Sequence, residues 1–182
     1  GEHIRVLQRS ANYSTMMPGY ARDKQIAEGE EISQVNTLLK DMIDADNRGV
    51  DVQVILEGEV RKRASTGEWK VTRDNEDFAM RLLGGGVPVW YDSLTTQTHA
   101  KMVIVDDLTV VGSTNWTLNA LERGNEASVM IRSAEVARHY LDYFDERKRE
   151  GVKVVPGMTL DGLRVKMEKE YEKNPGLAPQ RD

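Results

Sequence analysis

The sequence contains no cysteine and only three histidines among its 182 residues. Without cysteine, disulfide bonds and thiolate metal sites are excluded. No run of 18 apolar residues occurs, so we expect no membrane-spanning helix. A signal peptide is also missing, and because Gly1 lies almost directly before a strand-like segment, we expect an upstream signal or anchor to have been removed. The compartment is therefore not indicated by the sequence.

The composition is that of an ordinary globular protein, with 39% hydrophobic and 30% charged residues, and the length fits one domain with a substantial core. The net charge of −5 is unfavourable for a nucleic-acid binder, because such proteins are usually basic. One basic run follows directly on a strand-like segment, at the strand end where ligands of α/β sheets gather. Its residues are predicted to bind substrate, although a solvated turn is an alternative: Arg61, Lys62 and Arg63.

Alternating strand-like and helix-like segments predict an α/β fold with a mixed central β-sheet sandwiched by helices. Strands are predicted at 4–7, 50–56, 87–91, 98–106, 109–114 and 126–131. Helices are predicted from a cap at Ser33 to a glycine stop at Gly49, from Asn75 or Asp74 to 83, and from a cap at Ser133 to about 149. Two shorter helices are predicted over 118–123 and 160–171. Residues 15–30 form a long connection, and 57–73 are predicted to be irregular. We expect a catalytic domain over 1–150 and a helical extension and tail over 151–182.

The segment 99–115 contains an imidazole, a fixed cation, a hydroxyl and an amide within 17 residues. If 98–106 is a strand, His99 and Lys101 project from the same face, and Ser113 and Asn115 share a face in the same way. Such a surface would place a nucleophile or base beside three groups suited to phosphate oxygens. Asp106 is expected to point to the opposite face, as an orienting or structural carboxylate.

These residues resemble the signature of the phospholipase D superfamily: HxK, four residues, Asp, and then a GSxN element that here begins at Gly112. The likeness continues through Ala120 and Asn125-Glu126. The resemblance implies a phospholipase D-like fold, with Gly112 as a structural motif position. Only one copy of the motif is present, and single-copy chains of this size resemble the homodimeric nuclease branch and related endonucleases.

The resemblance also implies a mechanism. One imidazole attacks phosphorus as a nucleophile, and a second imidazole on the opposite side protonates the leaving oxygen. A single-motif chain therefore implies a symmetric dimer with His99 of both copies at the two-fold axis. Lys101, Asn115 and Ser113 would hold the phosphate oxygens, and Glu126 would orient the imidazole. Neither a metal nor another cofactor is expected.

Three functions are compatible with the sequence. A metal-independent endonuclease acting on DNA or RNA is the leading hypothesis, and lipid phosphodiester hydrolysis is the second, with Met16 to Tyr20 as a lipid-facing loop. A non-catalytic DNA-binding module of the same fold is the third. Trp116 is predicted to stack on a base, with a core or interface position as the alternative. A second motif in a longer chain would serve in place of the dimer partner.

Overall fold

The computed structural model describes residues 3–12, 34–63 and 65–174, except for the side chains of 34–36. The predicted connection at 15–30, the loop from Met16 to Tyr20 and the cap at Ser33 lie outside the described residues.

The described residues form nine strands and five helices, which alternate along much of the chain. In chain order they are β1 His3–Gln8, α1 Gln34–Asn47, β2 Asp51–Leu56, β3 Val60–Lys62, β4 Trp69–Val71, α2 Glu76–Gly84, β5 Val89–Tyr91, β6 Lys101–Val105, β7 Leu108–Gly112, α3 Leu118–Glu122, β8 Ser128–Arg132, α4 Ala134–Glu150, β9 Val152–Lys153 and α5 Leu160–Lys173.

Seven strands form one mixed sheet in the order β8-β7-β6-β1-β2-β5-β9. The central strands β1, β2 and β5 are parallel, whereas β6, β7, β8 and β9 add antiparallel pairs at the two sides. This arrangement confirms the predicted mixed α/β sheet. No helix in the described part of the chain is both long and apolar enough to cross a bilayer.

Both faces of the sheet are covered by helices. On one face, Val6 and Val54 belong to a core that includes Leu39 of α1, Phe78 of α2 and Leu160 of α5. On the other face, the strand residues Leu7, Ile55 and Ile104 belong to a core with Ala137 and Phe144 of α4. Successive strand residues point to opposite faces, so these near-continuous apolar strands supply both cores.

Local signals define several helix ends as the sequence predicts. Ser133 caps α4, because its Oγ accepts a hydrogen bond from the backbone N–H of Val136 at 3.3 Å. Gly49 follows α1 with φ of +87°, a left-handed conformation in which glycine avoids steric strain. The α2 helix departs from this pattern, since the side chain of Asn75 makes no cap hydrogen bond at its start.

The prediction that 57–73 is irregular is wrong, because β3 and β4 pair in this region as an antiparallel hairpin. The buried carboxylate of Glu59 joins the two strands: it forms ion pairs with Arg61 and Lys70 and accepts a hydrogen bond from Thr72 at 2.9 Å. The contacts come from residues 2, 11 and 13 positions along the chain, and local sequence patterns do not show them.

The residues after position 150 join the same sheet and core. The short strand β9 pairs with β5, and Leu160 at the start of α5 is fully buried. Helix α5 also packs on the hairpin, where the rings of Trp69 and Tyr171 stack with centroids 5.6 Å apart. A separate extension beginning at 151 stays a prediction.

Candidate active site

The strand order of the sheet brings the motif residues to one edge, where β6 begins and β7 ends. Lys101 is the first residue of β6 and lies opposite Gln8, the last residue of β1. The predicted strand from 98 begins only at Lys101, so His99 lies in the preceding loop. Asp92 holds that loop: its carboxylate accepts hydrogen bonds from Ser93 N–H and from the hydroxyl of Thr98.

His99 and Lys101 are in direct contact. The Lys101 Nζ atom lies 3.1 Å from His99 Nδ1 and donates to the His99 backbone carbonyl at 2.7 Å. His99 is exposed, whereas Lys101 is buried. The positive charge of Lys101, followed by burial and the charge of Arg9, lowers the pKa of His99. An ammonium donates to Nδ1 only when that nitrogen is unprotonated, so the contact fits a neutral ring.

The pKa of Lys101 is lowered as well. Here burial is the main cause, and the charge of Arg9 acts in the same direction. The carboxylates of Glu126 and Glu57 oppose these effects and raise the pKa of Lys101. The protonation of Lys101 is thus influenced by two carboxylates and one guanidinium at this edge of the sheet.

Ser113 and Glu126 form a second contact at the same edge. The Ser113 hydroxyl donates to Glu126 Oε2 and accepts a hydrogen bond from the Ala127 N–H at 3.0 Å. The pairing implied for Glu126 with His99 is not what the structure shows: in the described part of the chain, no hydrogen bond or ion pair joins these two residues. Glu126, just before β8, is instead bound by Ser113, just after β7.

Gly112 has a steric reason for its place in the motif. A Cβ atom at this position would lie 2.2 Å from Ser128 Oγ and 2.4 Å from the Ala127 carbonyl oxygen. Only glycine therefore lets β7 and β8 approach closely enough for Ser113 to reach Glu126. The structural motif role of Gly112 stays a prediction.

Asn115 follows β7 in a segment that pairs with the residues just after β1. The backbone N–H of the adjacent Trp116 donates to the Ser10 carbonyl at 2.8 Å, and the Trp116 carbonyl accepts from Asn12 N–H at 3.0 Å. The Asn115 Oδ1 atom is buried and makes no hydrogen bond within the described structure. Trp116 itself is only 7% exposed and packs edge-on against Phe78, so base stacking would require the ring to leave this contact.

Two other groups of predicted residues lie away from this contact network. Asp106, in the turn after β6, accepts a hydrogen bond from His3 N–H at 3.1 Å, and its structural role stays a prediction. Arg61 forms an ion pair with the buried Glu59. Lys62 is half-buried, and Arg63 is exposed on the hairpin. Substrate binding by the basic run stays a prediction. The described residues contain no group of three or more side chains placed to hold a metal ion.

Sequence reasoning missed Arg9, Glu57 and Asn75. Arg9 and Glu57 lie close together because β1 and β2 are parallel and end at the same edge. The side-chain amide of Asn75 joins them, since it donates to the backbone carbonyls of Arg9 at 2.9 Å and Glu57 at 2.8 Å. Asn75 Oδ1 also accepts from the Ala11 N–H at 2.8 Å. These bonds explain why Asn75 does not cap α2. The residues are far apart in sequence, and no motif marks them.

An apolar groove of about 400 Å³ lies against the face of the sheet that carries Lys101. Apolar side chains of β1, β6 and β7 and of helix α1 form most of its wall, among them Ile4, Leu38, Met42, Val103 and Val110. Lys101, Gly112 and Thr114 line its end at the motif. The candidate site therefore borders both charged groups and an apolar surface.

The fold agrees with the comparisons with known proteins. The model of the family described as "Cardiolipin synthase, PLD-like domain" matches residues 7–148. The chain belongs to this PLD-like domain family, and the resemblance to the phospholipase D superfamily is confirmed.

A protein named phospholipase D from Rickettsia bellii (strain RML369-C) is 32% identical over 108 residues, which are 59% of this chain and 48% of that protein. The chain thus spans about half the length of this curated relative. Two solved structures share the fold. The phospholipase D family member Nuc from Salmonella typhimurium has a TM-score of 0.59 at 21% identity, covering 84% of this chain and 81% of its own. NucT from Helicobacter pylori has a TM-score of 0.54 at 16% identity, covering 85% of this chain and 83% of its own.

Proposed function

We propose that this chain is a phosphodiesterase that cleaves nucleic acid through a phosphohistidine on His99, at a site shared by two copies of the chain. The observation that carries the proposal is the 3.1 Å contact between Lys101 Nζ and the exposed His99 ring. The lowered pKa of His99 favours the neutral imidazole near neutral pH. An exposed neutral imidazole beside a fixed cation is suited to attack a phosphorus whose oxygens that cation binds.

In the proposed reaction, a ring nitrogen of His99 forms a bond to phosphorus as the P–O bond to the leaving oxygen breaks. His99 of the partner subunit gives its proton to that oxygen, and then takes a proton from the water that cleaves the phosphohistidine. The other two histidines do not serve here. His3 lies near Asp106 at the opposite end of β6, and His139 lies on α4 beside Tyr140. A second imidazole must therefore come from another copy or another motif.

Strand β8 provides support for the shared site. It is an outer strand of the sheet and begins two residues after Glu126. Its Val129 and Met130 side chains are 57% and 69% exposed. Exposed apolar side chains on an edge strand are typical of an interaction surface. A second copy on this surface would bring its own motif close to the first.

Nucleic acid is the substrate that we favour. The single motif resembles the homodimeric nuclease branch of the superfamily, and Nuc and NucT are among the structural neighbours of the chain. Lys101 and Asn115 would bind the non-bridging oxygens that every phosphodiester carries, whereas Arg63 is exposed for contacts with neighbouring phosphates.

Lipid phosphodiester hydrolysis is a second candidate, and the apolar groove specifically favours it. The groove is lined almost wholly by apolar side chains and reaches Lys101, so an acyl chain lying in it would bring a lipid phosphate to the motif. The same imidazole chemistry would serve both substrates.

One assay tests the mechanism and separates the substrates. The wild type, His99→Ala and His139→Ala are incubated in EDTA with a labelled single-stranded oligonucleotide and, separately, with cardiolipin vesicles. We expect oligonucleotide cleavage by the wild type and by His139→Ala, the matched exposed histidine, and a loss of about a thousandfold or more in His99→Ala. Undiminished cleavage by His99→Ala would refute the mechanism. His99-dependent turnover of cardiolipin alone would assign the lipid function.

A further inference from the structure

A guanidinium and a buried carboxylate lie next to the motif, and the mechanism above does not use them. Arg9 directly follows β1, and its N–H donates to the carbonyl of Ala100, the residue between His99 and Lys101, at 3.1 Å. This hydrogen bond ties the Arg9 backbone to the motif itself. The side chain is 35% exposed, so part of it reaches the surface.

The charge of Arg9 acts on both basic side chains of the motif, His99 and Lys101. It lowers the pKa of His99 and the pKa of Lys101, although another cause is larger in each case. The backbone hydrogen bond from Arg9 to Ala100 places this charge beside both groups, and its effect on their pKa values has the sign expected of a neighbouring cation. Arg9 therefore adds a second permanent positive charge to the place where the phosphate would bind.

Glu57 lies behind the guanidinium. Its side chain is 5% exposed, and its Oε2 lies 3.6 Å from Arg9 Nε, which is an ion pair and longer than a hydrogen bond. Neither Arg9 Nε nor Glu57 Oε1 has a hydrogen-bond partner within the described residues. The carboxylate thus attracts the guanidinium through charge without occupying its fork of donors, and Asn75 fixes the backbone of both residues.

We propose that Arg9 is a further phosphate-binding residue of this site, and that Glu57 is the positioning residue that holds its guanidinium. The proposal rests on the phosphodiester substrate proposed above. A guanidinium presents parallel N–H donors that match two oxygens of a phosphate, whereas Lys101 supplies a point charge. With both present, the anion is held from two sides as His99 attacks.

Equilibrium binding of sulfate, a stable oxyanion that mimics phosphate, tests the proposal without requiring cleavage. Calorimetry is carried out at pH 8 on the wild type, Arg9→Ala and Arg132→Ala. Arg132 is the matched control, because it is 69% exposed and pairs with Asp107 at 2.8 Å in the turn at the far end of β8. We expect Arg9→Ala to weaken sulfate binding about tenfold or more, and Arg132→Ala to leave it unchanged.

The Arg9→Ala variant leaves Glu57 buried without its cation and could lose stability. The double variant Arg9→Ala/Glu57→Gln removes both charges and therefore leaves no unpaired charge in the core. It is expected to fold, and it tests the same loss of sulfate binding. Glu57→Gln alone keeps Arg9 but removes the charge that holds its guanidinium, so it is expected to weaken sulfate binding, by less than Arg9→Ala does. Sulfate binding by the double variant equal to that of the wild type, or no sulfate binding by the wild type, would overturn the proposal. Arg9-dependent binding in a protein that cleaves no phosphodiester would instead refute only the proposed function.

Discussion

At the scale of single residues, the site depends on charges whose protonation is set by their neighbours. Lys101 is buried beside the exposed His99, and its positive charge lowers the pKa of the imidazole and so favours the neutral ring. The carboxylate of Glu126 is bound by Ser113 in the same edge of the sheet. In the proposed mechanism, these local contacts prepare His99 as the nucleophile, and the second imidazole comes from another copy.

Glu57 gives this edge a measurable pH dependence. Burial is the main cause that raises the pKa of Glu57 from 4.5 to about 7, and Glu59 and Asp74 add to it, whereas Arg9 and Lys70 oppose it. Between these two values the folded protein holds a proton that the unfolded chain has lost. The free energy of unfolding therefore falls as pH rises from 4.5 to 7, by on the order of 2 kcal/mol.

Glu57→Gln removes this titration. Thermal unfolding measures the difference in melting temperature between the variant and the wild type. We expect this difference, variant minus wild type, to be more positive at pH 8 than at pH 5. Glu68→Gln, at an exposed glutamate of the hairpin loop, is the control and should show no such change. A Glu57→Gln difference that is the same at both pH values would contradict the assignment.

At the scale of elements, strand β8 connects the fold to the proposed assembly. Val129 and Met130 are exposed in the single chain, so a charge at either position leaves the monomer core intact. In the proposed dimer the same charge would be buried at the interface, where it is costly. We expect Val129→Asp to shift the monomer–dimer equilibrium toward monomer by at least about tenfold, measured by sedimentation, and to reduce cleavage in parallel.

The control for this variant is Val155→Asp, because Val155 is 47% exposed and lies just beyond β9 at the opposite side of the sheet. It should leave both assembly and cleavage unchanged. Val129→Asp protein that dimerises and cleaves like the wild type would exclude β8 as the interface.

The strands and helices also show what a sequence can predict. The helix from Gln34 to its stop at Gly49 follows from apolar spacing and a residue suited to positive φ, both of which are local. The hairpin of β3 and β4 was missed, because its pairing depends on the buried Glu59 meeting Lys70. The amide of Asn75 reads as a helix cap in sequence, but in the fold it joins the ends of β1 and β2.

At the scale of the whole molecule, the sheet order decides which residues meet. The motif residues from His99 to Glu126 were found from the sequence, because they lie within one short stretch that resembles a known signature. Arg9 and Glu57 were not, since only the parallel pairing of β1 with β2 and the antiparallel pairing of β1 with β6 bring them to the same edge. Their proximity is a property of topology, which no local pattern records.

The central claim is that two copies of His99 act together on one phosphorus. A rapid acid-free quench of the wild type with a phosphate-labelled oligonucleotide, followed by mass spectrometry of the peptides, tests it most directly. We predict label on His99 alone, at no more than one label for every two chains, because the second imidazole must stay free as the acid. Label on another residue, or one label on every chain, would contradict it.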